Sequence, residues 1–155
     1  MPAEIERKFL VTGRGWTEHA GLPVRIRQAY LAQTDKASVR VRIKGGDAAF
    51  LTIKSAVPGL SRLEVETDIP VAEAEELLEL RQGAVIEKQR YAVPFGGLVW
   101  EVDVFEGENA GLVIAEVELP DENFAVELPD WVGEEVTHER RYYNAQLATD
   151  PIRGG

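Results

Sequence analysis

Alternation dominates this chain. From Ala3 to Val11, Glu4, Glu6 and Lys8 fall on one face of an extended segment, and Ile5, Phe9 and Val11 on the other. Side chains along a strand point to opposite faces in turn, so this period-two pattern predicts a half-buried strand. The pattern returns at Ser38–Lys44, with Arg40, Arg42 and Lys44 set against Val39, Val41 and Ile43. Leu51–Lys54, Arg62–Ile69, Trp100–Phe105 and Val113–Leu119 repeat it. Lys88 and Arg90 share one face of a further strand, and the segment from about Val24 to Ala32 alternates less cleanly.

Turn residues separate these segments. Gly45-Gly46-Asp47, Pro58-Gly59 and Gly96-Gly97 predict reversals of the chain. Two stretches change period. Val71, Ala74, Leu77 and Leu78 follow helical spacing, which predicts a helix from about Val71 to Leu80. Thr137–Ala148 is predicted as a second helix, with Thr137 as its cap. The sum is about eight strands and at least two helices. One domain is expected over residues 1–150, followed by a frayed tail at 151–155.

Composition narrows the chemistry. The 155 residues carry 17 Lys and Arg against 27 Asp and Glu, a formal net charge of -10. An acidic chain argues against nucleic acid or an anionic membrane as partner, since both call for a basic patch. The absence of cysteine excludes disulfides, thiolate metal sites and cysteine nucleophiles. Two histidines, His19 and His138, are too few for a histidine-rich metal centre. No apolar run reaches the roughly 20 residues of a membrane-spanning helix, and the charged start is unlike a signal peptide. A cytoplasmic, soluble protein is expected.

The polar faces carry charge rather than neutral polar groups, and the charge is segregated. Glu4/Glu6 and Glu116/Glu118 are paired acids, whereas Arg40/Arg42 and Lys88/Arg90 are paired bases. One wet face of an antiparallel sheet would account for any single strand. Gathered inside a curled sheet, the same faces make a site with two poles. Burying charge is costly unless something pairs it. A hard divalent cation, Mg2+ or Mn2+, would satisfy the carboxylates, and a polyphosphate would satisfy the bases.

Glu4-Ile5-Glu6-Arg7-Lys8 has the form E-x-E-x-K. Arg40-x-Arg42, Lys54, Glu64-x-Glu66, Lys88-x-Arg90 and Glu116-x-Glu118 follow in order. This ordered set resembles the CYTH superfamily, the triphosphate tunnel metalloenzymes, and most closely its short bacterial members. The stretch from Glu135 through Arg141, Tyr142 and Asn144 looks like the family's closing helix. The resemblance implies a mainly β fold: a closed eight-stranded antiparallel barrel with a few flanking helices. It also implies metal-dependent hydrolysis of a small anionic triphosphate.

Carried over by position, Glu4, Glu6, Glu116 and Glu118 would hold the metal. Lys8, Arg40, Arg42, Lys54, Arg62, Lys88, Arg90 and Arg141 would bind phosphate. Glu64, Glu66, Glu101 and Asp103 would support them or reach a second metal. A lysine with a depressed pKa, from the pair Lys54 and Lys88 or from Lys8 beside Tyr30, would serve as base. Lys44 and Asp68, near strand ends, are expected to be solvated. An apolar outer barrel face would support a homodimer. Inorganic tripolyphosphate is the leading substrate. A class IV adenylate cyclase, a nucleoside or thiamine triphosphatase, a polyphosphate-binding module and a lipocalin-like barrel are the alternatives.

Overall fold

The computed structural model describes residues 5–55 and 63–152. Nine strands are present: β1 (Ile5–Val11), β2 (Val24–Gln33), β3 (Ala37–Lys44), β4 (Ala48–Ser55), β5 (Glu64–Ile69), β6 (Gln82–Phe95), β7 (Leu98–Phe105), β8 (Val113–Leu119) and β9 (Val132–Glu135). Helix α1 (Val71–Leu78) joins β5 to β6, and helix α2 (Asn144–Thr149) follows β9. The strands form one antiparallel sheet in the order β5-β4-β3-β2-β6-β7-β8-β1-β9.

The mainly β, antiparallel expectation holds, and two details differ. The ladder has nine strands rather than eight, and among the described residues it is open, with β5 and β9 as its ends. The reason lies at β1. Its second edge, which closure would use, is occupied by β9, with Phe9 opposite Glu135 and Val11 opposite Val132. Glu4, Arg62 and the turn at Pro58-Gly59 lie outside the described residues.

The hairpins follow from local chemistry. Gly96 and Gly97, between the paired residues Phe95 and Leu98, both have positive φ, 60° and 79°. That geometry matches the right-handed twist of the strands, and glycine adopts it without steric cost. Helix α1 buries Ala74 and Leu78, four residues apart and so on one stripe. They pack on Ala29, Val41, Ile43 and Ala49, the apolar face of β2, β3 and β4. Farther along the same side of the sheet, Phe9, Trp100, Val102 and Val117 pack with Trp16 and Trp131. Trp100 is fully buried, 5.6 Å from the Phe9 ring and 5.7 Å from that of Trp131. All three tryptophans are packing residues of this cluster.

The second predicted helix is shorter than expected. Residues Arg140–Tyr142 form a single 3-10 turn, Tyr143 is extended, and α2 begins only at Asn144. Thr137 caps no helix. Its hydroxyl accepts a hydrogen bond from the Lys8 backbone N–H at 3.0 Å, which continues the edge of β1. The Tyr143 hydroxyl donates to the Thr137 carbonyl oxygen at 2.9 Å and holds the chain extended there. The expected fraying does not reach Ile152, whose N–H donates to the buried Asn109 Oδ1 at 2.7 Å.

Candidate active site

One face of the sheet carries nearly all the predicted site residues. In β1 they are Glu6 and Lys8; in β3, Arg40 and Arg42; in β4, Lys54; in β6, Lys88 and Arg90. Glu64 and Glu66 come from β5, Glu101 and Asp103 from β7, Glu116 and Glu118 from β8. Antiparallel register sets neighbours side by side: Lys8 opposite Glu116, Glu6 opposite Glu118, Arg90 opposite Asp103 and Lys54 opposite Glu64. Charges of several strands act on one another across this face: Lys44 on β3 feels the carboxylates of both Glu66 on β5 and Glu101 on β7.

One end of this face is apolar. Tyr30, Ile86, Phe105, Leu112 and Ile114 pack there against Leu147 and Ala148 of α2. Gly83, at φ 74°, permits this docking: a Cβ there would stand 2.5 Å from the Ala148 carbonyl oxygen. Asn109 adds a second hold, donating to the Leu147 carbonyl at 3.4 Å.

Asp103 is the centre of the first charged cluster. It is 1 % exposed and accepts from Arg90 through Nε at 2.8 Å and Nη2 at 2.9 Å, while the Lys88 ammonium lies 2.8 Å away. Burial alone would raise the Asp103 pKa; the Lys88 charge and the Arg90 bonds outweigh it and hold the carboxyl far below the usual range. Arg90 is raised, because the Asp103 bonds and charge overcome the effect of burial. Lys88 is fully buried, and burial pushes it down to about 8 despite Asp103, with Arg90 and Arg42 adding to the fall. Its ammonium also donates to Asn144 Oδ1 at 2.9 Å and lies 5.4 Å above the Phe105 ring.

The second cluster, on β3, is built differently. Arg42 Nε donates to Gln28 Oε1 at 2.6 Å, and among the described residues Arg42 has no carboxylate within ion-pair distance. Burial, with Arg40 and Arg90 nearby, lowers its pKa to about 10. Arg40 reaches Thr52 Oγ1 at 3.4 Å and Glu66 only at 3.9 Å, and its buried Nε has no acceptor. Lys44, expected to be solvated, is half-buried and lies 5.5 Å above the Phe50 ring. Its pKa is lowered by burial and by Arg42 and Arg90. Three basic residues thus line one strand with few counter-charges. Buried guanidinium groups left this way are expensive, and an anion is what they lack.

The acidic members are spread out. The Lys8 ammonium lies 3.4 Å from Glu116, and its charge holds the Glu116 pKa down against burial. Glu6 and Glu118 are exposed cross-strand neighbours. Like charges placed opposite each other are destabilising, and a hard cation taking oxygen ligands would relieve this pair, so the donor set fits Mg2+ or Mn2+. Among the described residues no three carboxylates or imidazoles already stand as a metal site.

Other expected groupings do not form. No contact joins Lys54 to Lys88, or Lys8 to Tyr30, among the described residues. Lys54 pairs with Glu64 at 3.7 Å, and Tyr30 is buried in the apolar plug. β3 and β2 stand between β4 and β6 in the sheet. Arg141 is exposed, stacked on its neighbour Tyr142 and away from the clusters. Glu101 reaches Arg90 at 3.5 Å. Gln28, Thr52 and Tyr143 are neutral and mark no motif, so no pattern along the chain points to them.

Comparison with known proteins adds a separate line. The chain matches the CYTH domain over residues 2–149. It is 50% identical over 154 residues to the inorganic triphosphatase of Acetivibrio thermocellus, spanning 99% of this chain and 97% of that protein. Identity to the inorganic triphosphatase of Nitrosomonas europaea is 43% over 150 residues, with 94% and 96% coverage. The crystal structure of an inorganic triphosphatase superposes with a TM-score of 0.73 at 38% identity, covering 100% of this chain and 99% of that one.

Proposed function

The chain belongs to the CYTH family, and from that premise we propose that it hydrolyses a triphosphate, with inorganic tripolyphosphate as the preferred substrate and pyrophosphate and orthophosphate as products. The observation that carries this reading is the β3 pair. Arg42 has no carboxylate partner among the described residues, and Arg40 keeps a buried Nε without an acceptor. Both are forked donors suited to phosphate oxygens. The named activity of the two bacterial relatives points the same way.

Phosphoryl transfer asks mainly for positioning and charge stabilisation. Gln28 occupies the Arg42 Nε, which leaves the terminal nitrogens of Arg42 as the donors for a phosphate. Arg40, Lys44 and Lys54 extend the cationic row along β3 and β4. Lys88 and Arg90, neutralised in part by Asp103, supply positive potential from the opposite pole. Glu6, Glu116 and Glu118, together with Glu4, would hold Mg2+ or Mn2+. Held by these carboxylates, such an ion would supply Lewis-acid charge neutralisation and water activation.

Of the four candidate proton acceptors, Lys88 and Tyr30 are enclosed, whereas the Lys8 and Lys54 side chains keep 14% and 34% of their exposure. A base that touches the attacking water is therefore Lys8 or Lys54. The test is phosphate release from inorganic triphosphate, ATP and thiamine triphosphate, each with magnesium, manganese or EDTA. Release that is strongest with inorganic triphosphate and stops in EDTA is expected. Preference for ATP or thiamine triphosphate would move the substrate, and equal release in EDTA would overturn the metal-dependent reading.

A further inference from the structure

Tyr143 and Asn144 are adjacent in sequence, yet each touches a different lysine of the charged face. Asn144 Oδ1 accepts from Lys88 Nζ at 2.9 Å and from Gln28 Nε2 at 3.1 Å. Gln28 Oε1 in turn accepts from Arg42 Nε at 2.6 Å. The Tyr143 ring lies 5.0 Å from Lys8 Nζ, within cation–π range. Resting on the triphosphatase reading, we propose that Tyr143 and Asn144 are positioning residues that set the lysines of the site from the C-terminal segment, Asn144 through Lys88 and Tyr143 through Lys8.

The direction of the relay follows from what each group can donate. Lysine and arginine side chains have no acceptor. A bridge between Lys88 and Arg42 must therefore present oxygen to both ends. Two amides in series do so, and each amide orientation is fixed by the cation it faces. A carboxylate at 144 would also accept from Lys88, but it would add negative charge where a phosphate chain must bind. The neutral amide holds the ammonium and leaves the charge of the face unchanged.

The mounting is firm enough for such a role. Asn144 opens α2, whose far end is held by the close approach to Gly83 and by the buried Asn109 amide. Tyr143 is fixed by its hydroxyl bond to the Thr137 carbonyl, and the Thr137 hydroxyl is bonded to the Lys8 backbone N–H. Lys8 is thus held at both its backbone and its ammonium by one short stretch of chain. Asp103, Arg90, Arg42 and Glu116 are the charged groups that act on Lys88, and none is on the C-terminal segment.

Two double-mutant cycles test the proposal, read in kcat and KM for inorganic triphosphate with saturating metal. Asn144→Ala should lower kcat about tenfold or more, change KM by less than about threefold, and change kcat by less than about twofold once Lys88→Met is present. Asn144→Asp, which keeps the acceptor but adds a negative charge, should recover part of the loss in kcat while raising KM. Tyr143→Phe, which keeps the ring beside Lys8 but loses the hydroxyl bond to Thr137, should lose less activity than Tyr143→Leu, and the loss in Tyr143→Leu should appear only where Lys8 is intact. The cross pairs, Asn144 with Lys8 and Tyr143 with Lys88, should be additive. Thermal melts confirm that each variant folds. Equal fold-losses in both backgrounds would show a merely structural role and overturn the proposal while the triphosphatase reading stands. A wild-type protein without turnover would remove that reading and this proposal together.

Discussion

The two cationic clusters of the charged face solve the same problem in opposite ways. On β6 and β7, Lys88 and Arg90 are buried around Asp103, and every charge there has a counter-charge within 3 Å. On β3, Arg40 and Arg42 are brought into a similarly enclosed setting with a glutamine, a threonine and one distant glutamate. The first arrangement is complete by itself. The second is complete only with an anion present. The two poles therefore differ in what they lack: one is paired within the fold, and the other holds buried donors without a nearby carboxylate among the described residues.

Removing Asp103 should have the largest effect on stability. Asp103→Ala leaves Lys88 and Arg90 buried together without their shared carboxylate, and breaking such a buried pair costs about 3–5 kcal/mol. For a chain of this size the midpoint of thermal unfolding should fall by roughly 10 °C or more. A much smaller fall would mean that the β6–β7 pole is not the structural one.

Arg42→Met should do the reverse. It removes an enclosed charge that has no counter-ion, so the melting temperature should hold or rise. Activity should fall by about a hundredfold or more in kcat/KM, the range seen when a donor to developing negative charge is lost. A protein that both melts lower and keeps its activity would erase the distinction between the poles.

The Arg7–Glu135 pair, on the opposite side of β1, provides the smallest effect. Its side chains are 34% and 39% exposed, so Glu135→Gln should cost no more than about 1 kcal/mol. The hydrogen bond from Arg7, with help from Thr137, lowers Glu135 to about 2. A carboxylate held below its unfolded value stabilises the fold above that value. The contribution is present above about pH 4.3 and fades as the pH falls toward 2. Melts of wild type and Glu135→Gln should therefore differ at pH 6 and converge near pH 2.

The strands were legible because one of their faces is apolar and period-two alternation survives in the sequence. Arg40-x-Arg42 and Glu116-x-Glu118 declared both their strand and their shared face. β9 did not: Val132-Gly133-Glu134-Glu135 is too short to alternate visibly, and its pairing partner lies more than a hundred residues away. The helix expected over Thr137–Ala148 begins only at Asn144 for a related reason. Local spacing favoured a helix, but bonds from Thr137 to Lys8 and from Tyr143 to Thr137 keep that stretch extended. Lys44 was misplaced because a charged residue near a strand end is usually wet, whereas here it lies beside Arg42 on its own strand, above the Phe50 ring of the paired strand, and within the field of Arg90 on β6.

β1 has a further consequence, for the order in which the molecule can be completed during synthesis. Among the described residues its strand partners are β8 and β9, so this early strand waits for the last two. While the intervening strands emerge, Ile5, Phe9 and Val11 have no sheet to join. Contacts of such long sequence separation form slowly, because the chain must close a large loop before it gains anything. A ribosome stalled before residue 113 would hold a chain with the basic strand β3 already made and the acidic half of the site unassembled.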